Sequence, residues 1–309
     1  MIKNAPPSTS VRIAGLHLKN PVMTASGTFG YGEDLSTYME PNCIGALVTK
    51  GLSVEPRLGN PPPRIMETPS GLLNSVGLQN IGVRNFIQEH LPKLRAYNVP
   101  VIANIYGETI DDYCKVAEIL SSEKGVHALE VNISCPNVKC GGIAFGATAD
   151  SASEVAQQVK QASRLPVIVK LTPNVSDIAE IACAVEKAGA DAVSLINTIM
   201  GMSVDIETRR PHLKSITGGL SGPAIRPIAL RMVYEVFRRV HIPVIGIGGI
   251  MNASDAIAFL IVGASAVQIG TANFIDPAVA PKIIVGIESY LANHGIGNIQ
   301  ELIGSLRID

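Results

Sequence analysis

Eight short apolar runs, each followed by a helix-like stretch, constrain this chain more than any other feature. They occupy residues 22–25, 46–49, 101–105, 128–133, 167–171, 192–196, 244–247 and 266–269. Several are apolar throughout rather than alternating, as strands covered on both faces should be. The segments between them carry helical spacing. Residues 111–120 place Tyr113, Val116, Ala117 and Leu120 on one stripe. Ser176 and Asp177 open a stretch with Ile178, Ile181, Ala182 and Val185 that stops at Gly189, and Ser254-Asp255 open another that stops at Gly263. Residues 223–240 and 277–293 are longer amphipathic stretches. Strand alternating with helix predicts a parallel sheet with right-handed crossovers, and eight repeats predict closure. The expectation is an α/β fold, a (β/α)8 TIM barrel forming one domain over residues 1–309.

Composition narrows the function classes. With 47 % apolar and 17 % charged residues the chain can bury a large core. A formal net charge of -1, 4 % aromatics and no Trp give neither a basic footprint nor stacking platforms for nucleic acid. The five cysteines, Cys43, Cys114, Cys135, Cys140 and Cys183, are odd in number and form no CxxC pair. That argues against a disulfide framework and against a self-contained metal or iron–sulfur site, so no metal is expected and the cytoplasm is the expected compartment. Residues 1–10 lack the apolar stretch of a signal peptide. The most apolar segment, 256–272, divides into a helix and a strand and reads as core, not as a membrane span.

The ends of the runs carry the chemistry. Ala25-Ser26-Gly27, Lys50-Gly51, Asn104, Asn132 with Ser134-Cys135, Lys170, Asn197-Thr198, Gly248-Gly249 and Gly270-Thr271 follow or close successive strands. In a barrel these positions share one rim, the C-terminal face where active sites form. Segments 52–80, 136–150 and 201–221 are too long for turns and leave that same rim. Gly248-Gly249 and Gly270-Thr271 lie after strands seven and eight, where backbone N–H groups and helix N-termini cradle a phosphate. Gly218-Gly219 and Gly222 are expected to complete that cradle. A cradle without Lys or Arg suits the monophosphate of a tethered cofactor. Lys50 and Lys170 suit the anion of a reduced flavin ring, which needs positive charge near N1 and O2, and equally a substrate carboxylate. The segment Asn74-Ser75-Val76-Gly77-Leu78-Gln79-Asn80 offers amides to clamp a planar polar ring. Cys135, held before Pro136, has an ordinary thiol pKa of about 8.5, close enough to working pH to take a proton as thiolate. Cys43, Cys114 and Cys183 read as small buried hydrophobes.

Together Asn132-Ile-Ser-Cys135-Pro-Asn137, Asn74 to Asn80, Ala25-Ser-Gly-Thr-Phe29, Leu195-Ile-Asn-Thr198 and Gly219-Leu-Ser-Gly-Pro223 resemble the class 1 dihydroorotate dehydrogenases, over about residues 11–306. The resemblance implies an FMN-dependent oxidoreductase that converts (S)-dihydroorotate to orotate in pyrimidine biosynthesis. It assigns FMN contacts to Ser26, Lys50, Gly51, Asn104, Asn132, Lys170, Ile196, Gly222, Gly248, Gly249, Gly270 and Thr271. It assigns substrate contacts to Lys50, Asn74, Ser75, Val76, Gly77, Leu78, Asn132, Asn197 and Thr198. Cys135 becomes the base that removes the C5 proton while hydride leaves C6 for flavin N5, and the loop 136–150 becomes a cover. The serine-based class 2 membrane enzymes fit less well. The run Cys135-Pro-Asn-Val-Lys-Cys-Gly-Gly142 looks more like subclass 1B than the fumarate-using subclass 1A. That subclass implies a partner subunit with FAD and a [2Fe–2S] cluster, a heterotetramer of two catalytic and two electron-transfer subunits, and NAD as final acceptor. Dihydropyrimidine and dihydrouridine-type flavin barrels, and a phosphosugar barrel without flavin, remain as alternatives. No nucleic acid and no membrane are expected as partners.

Overall fold

The computed structural model describes residues 6–32, 34–134, 136–137 and 143–308. Eight parallel strands form one sheet: β1 (Val22–Thr24), β2 (Leu47–Val48), β3 (Val101–Ile105), β4 (Ala128–Asn132), β5 (Val167–Lys170), β6 (Ala192–Leu195), β7 (Val244–Ile247) and β8 (Ala266–Ile269). From β2 onward each pairs with the next in chain order, and β8 returns to β1. The remaining seam is held by a parallel bridge between Met23 and Ala46 and by the Thr24 N–H on the Ala46 carbonyl at 3.3 Å. The sheet therefore closes into the expected barrel. All eight runs fall within one residue of their strands at each end. Every residue of β1, β5, β6, β7 and β8 is buried, as sequences apolar on both faces require.

Helices follow the strands. Ile110–Ser121 buries Tyr113, Val116, Ala117 and Leu120 and opens on a capping box between Thr109 and Asp112. Its Tyr113 hydroxyl donates to the Asn132 carbonyl at 2.7 Å, tying the helix to the end of β4. Ala149–Ala162, Ile178–Lys187, Arg226–Phe237, Ala253–Ile261 and Val279–Asn293 complete the outer layer with Val83–Asn85 and its continuation to Leu94. Asp177 caps its helix as expected, accepting from the Ala179 and Glu180 N–H groups, whereas the helix expected to open at Ser254-Asp255 is capped earlier, by Asn252, which accepts from Asp255 N–H. In each case the residue with an extended backbone precedes the first helical turn, which is where a capping oxygen reaches N2 or N3.

The long loops are more ordered than their sequences suggest. Ile65–Thr68 and Gly71–Asn74, from the segment after β2, join Ile199–Met202 and Thr217–Ser221, from the segment after β6, in a four-stranded antiparallel sheet. Thr217–Ser221 pairs with both loops, with Gly219 opposite Asn74. An N-terminal hairpin, Val11–Ile13 with Leu16–Leu18, buries Val11, Ile13 and Leu18 ahead of β1. In the third loop, Pro136–Asn137 pairs with Ile143–Ala144. Residues 138–142, which include Cys140 and the middle of the expected cover, lie outside the described residues, as does Cys135. Cys43, Cys114 and Cys183 are half-buried free thiols rather than fully buried ones. Among the described residues no helix is long and apolar enough to cross a membrane.

Candidate functional site

The barrel geometry turns the strand ends into the wall of one cavity of about 700 Å³. That volume is within the usual range for a small-molecule site. Ser26, Lys50, Gly51, Asn104, Asn132, Lys170, Ile196, Gly222, Gly248, Gly249, Gly270 and Thr271 all line it, and so do Asn74, Ser75, Val76, Gly77, Leu78, Asn197 and Thr198. Every cofactor or substrate contact that the resemblance assigns is thus gathered in a single space, apart from the base Cys135, which follows the lining residue Ser134 in the chain and lies outside the described residues.

One wall is a cradle of backbone. Gly222, Gly248 and Gly249 have φ of 91°, 129° and 71°, a left-handed region that favours glycine. A Cβ on Gly249 would stand 2.9 Å from the Gly222 carbonyl oxygen and 2.7 Å from the Arg226 Cβ, so the two turns pack backbone against backbone. The helices Arg226–Phe237 and Ala253–Ile261 begin just beyond these turns. Their N-termini place the positive ends of two helix dipoles on this side of the barrel. The Thr271 hydroxyl donates to Ser221 Oγ at 2.8 Å, linking the turn after β8 to the four-stranded sheet. Gly218 and Gly219 do not join this cradle. They lie within Thr217–Ser221, and the missing Cβ of Gly219 makes room for Thr198, whose Oγ1 would be only 2.0 Å from it. Strand pairing consumes their backbone, which is why a glycine pair beside the motif does not contribute to it.

The opposite part of the cavity is a mesh of amides. Asn132 Oδ1 accepts from Ser134 N–H and from Asn197 Nδ2, each at 3.2 Å, and Asn197 Nδ2 also donates to Ser134 Oγ at 2.9 Å. Asn197 Oδ1 accepts from Thr198 N–H at 2.8 Å. These bonds engage both side-chain carbonyls, so Asn132 presents amide donors to a ligand. The four-stranded sheet carries Asn74 to the rim, where its Nδ2 donates to the Gly219 carbonyl at 3.3 Å. Burial, aided by the nearby Arg64 guanidinium, holds the Lys50 ammonium below the ordinary lysine pKa. Arg64 donates to Gln79 Oε1 at 2.8 Å and lines the cavity as well; it was not picked from sequence.

Asn80 departs from the expected ring clamp. It is buried, its Nδ2 donates to Tyr106 Oη at 2.7 Å and to the Leu78 carbonyl at 2.9 Å, and its Oδ1 accepts from Gly82 N–H at 2.8 Å. Tyr106 Oη in turn donates to the Leu78 carbonyl at 2.9 Å. Asn80 therefore fixes the shape of the segment 74–78 from behind and does not line the cavity. A second missed group is Glu130, fully buried inside the barrel between Asn104, Lys170, Ser194 and Gln268. Its signal was available: one carboxylate in the otherwise apolar run Ala128-Leu129-Glu130-Val131.

The closed barrel thus gathers a backbone cradle after β7, a mesh of amide side chains and two lysines in one cavity at the C-terminal ends of its strands, the place where barrel enzymes carry their active sites. The model of the dihydroorotate dehydrogenase family matches residues 8–291, and the chain belongs to that family. A relative from Geotalea daltonii, dihydroorotate dehydrogenase B (NAD(+)), catalytic subunit, is 56 % identical over 304 residues, covering 98 % of this chain and all of that protein. A protein of the same name from Trichlorobacter lovleyi is 58 % identical over 300 residues, 97 % of this chain and 99 % of that one. Another from Desulforamulus reducens is 54 % identical over 299 residues, 97 % of this chain and 98 % of that one.

Proposed function

We propose that this chain is the catalytic subunit of an NAD-linked dihydroorotate dehydrogenase, one FMN-binding barrel domain that oxidises (S)-dihydroorotate to orotate in pyrimidine biosynthesis. The observation that carries this reading is the single cavity in which a phosphate cradle, two lysines and an asparagine mesh meet. The residues present fit FMN. Gly222, Gly248, Gly249, Gly270 and Thr271 would hold its phosphate, on turns whose glycines let backbone pack against backbone at one end of the cavity. Ser26, Lys50, Gly51, Asn104, Asn132, Lys170 and Ile196 would hold its ring. Bound FMN supplies the acceptor, N5, for the hydride of dihydroorotate C6.

The chain's own groups bind and orient the substrate and move its proton. Lys50 and Asn74 would hold the carboxylate, with backbone donors of the segment 75–78. Asn132, Asn197 and Thr198 would fix the ring orientation; such positioning is worth several kcal/mol of barrier. Cys135, as thiolate, would take the C5 proton and later release it to water. Electrons leave through a partner subunit carrying FAD and [2Fe–2S], in a heterotetramer of two subunits of each kind, and the compartment is the cytoplasm. The relatives named above, catalytic subunits of an NAD(+) enzyme at 54–58 % identity, support this assignment over a fumarate-linked one.

The test is Cys135→Ala under anaerobic stopped flow. Reduction of bound flavin by dihydroorotate should slow on the order of 10²–10⁴-fold, the usual worth of a general base. Rates near wild type would remove Cys135 from the mechanism.

A further inference from the structure

Glu130 is fully withdrawn from solvent, and strands from around the barrel converge on it. Asn104 Nδ2, on β3, donates to Oε1 at 2.7 Å. Ser194 Oγ, on β6, donates to Oε2 at 3.0 Å, and Gln268 Nε2, on β8, donates to the same oxygen at 2.5 Å. Lys170 Nζ, on β5, stands 3.6 Å from Oε1. Asn104, Lys170 and Gln268 line the cavity, whereas Glu130 and Ser194 stand outside its lining. Gln268 is itself fully buried; its Nε2 is committed to Glu130, and among the described residues its Oε1 has no hydrogen-bond partner. A buried acceptor left unpaired is costly, and a donor on a bound ligand would satisfy it.

We propose that Glu130 is the positioning residue of the cofactor site, fixing Asn104, Lys170 and the Gln268 amide against the ring while its charge offsets that of Lys170. The proposal rests on the reading of the cavity as an FMN site. Buried pairs of this kind are rarely retained for stability, because desolvation offsets most of their attraction. Here the carboxylate instead sets how much of the Lys170 charge a ring gaining electrons experiences. Removing the Glu130 charge in Glu130→Gln leaves Lys170 uncompensated, so the reduced cofactor is favoured over the oxidised one.

The experiment measures the FMN midpoint potential of the holoenzyme by dye-equilibrated reduction, for wild type, Glu130→Gln, Lys170→Met and the double variant. The expected result is a positive shift in Glu130→Gln, corresponding to at least a tenfold change in the ratio of affinities for reduced and oxidised FMN, about 30 mV for a two-electron couple. The shift should largely vanish when Lys170 is already Met. An unmoved potential, a negative shift, or an equal shift in the Lys170→Met background overturns the proposal. If Glu130→Gln does not fold, Ser194→Ala decides. Ser194 meets Glu130 without lining the cavity, and losing its hydroxyl leaves the carboxylate charge less dispersed. A lowered potential then supports the proposal, and an unchanged one overturns it. Wild-type protein without flavin would instead sink the FMN reading itself.

Discussion

Replacing Gly249 with alanine tests the cradle on two readouts. Gly249 has φ of 71°, and a left-handed backbone costs an ordinary L-residue roughly 1–2 kcal/mol. The new methyl would also lie 2.7 Å from Arg226 Cβ and 2.9 Å from the Gly222 carbonyl oxygen, so one turn must move. Overpacking of that kind costs about 1–3 kcal/mol more. The sum, roughly 2–5 kcal/mol, should lower the melting temperature of the flavin-free chain by about 4–10 °C, since roughly 2 °C accompanies each kcal/mol in a domain this large. Displacing the turn should also cost one charge-assisted hydrogen bond to phosphate, about 1.5–3 kcal/mol, or roughly 10–150-fold in FMN Kd. Gly270→Ala is the control. Gly270 has no left-handed φ, and its added methyl would meet only Ala25 Cβ at an ordinary 3.5 Å. Its flavin-free melting temperature should stay within about a degree of wild type, a surface-like change of a few tenths of a kcal/mol. Differential scanning calorimetry and fluorescence titration with FMN give both numbers. If Gly249→Ala melts and binds like wild type, the backbone packing between the two turns does not form the cradle.

Two further outcomes follow from the ring side of the cavity. The Lys50 pKa lies below its ordinary value, so the cation is lost as pH rises through that lowered value rather than at the usual one near 10.4. In the flavin-free chain the same shift means that folding opposes the charged form at lower pH, a penalty that disappears as pH rises from the folded value to the unfolded one. Arg64→Gln removes the like charge and should move the alkaline limb of kcat/KM for dihydroorotate to higher pH; a limb that stays in place would contradict the role of Lys50 as the carboxylate's cation. Asn80→Ala deletes the bonds to Tyr106, Leu78 and Gly82 and should cost about 1–3 kcal/mol of stability while raising KM for dihydroorotate. An unchanged KM would show that the segment 74–78 keeps its shape without Asn80.

Much of this architecture could be read before any coordinates. The barrel strands are short, apolar and separated by helical stretches, and in a closed parallel sheet their C-terminal ends must share a rim. Lys50, Lys170, Asn104 and Asn132 could therefore be placed together from position alone. The four-stranded sheet above the rim could not. Its strands, such as Gly71-Leu-Leu-Asn74 and Thr217-Gly-Gly-Leu-Ser221, are short and glycine-bearing, and the pairing of Asn74 with Gly219 joins distant parts of the chain. Local periodicity carries no information on such a contact. For the same reason sequence alone puts the Gly218-Gly219 pair in the cradle and Asn80 on a ligand, whereas Gly218 and Gly219 pair within the sheet and Asn80 bonds to Ser53 and Tyr106 from other segments. Glu130 was visible as an acid in an apolar run, yet its meaning depends on four side chains that only closure of the barrel assembles.

Anaerobic titration of the purified chain with dihydroorotate asks whether this cavity holds FMN and whether the substrate reduces it. The expected result is a flavin spectrum of one FMN per chain that dihydroorotate bleaches, with NAD reduced only slowly until the electron-transfer subunit is added. A colourless chain, or a flavin that dihydroorotate leaves oxidised, would contradict the proposed function.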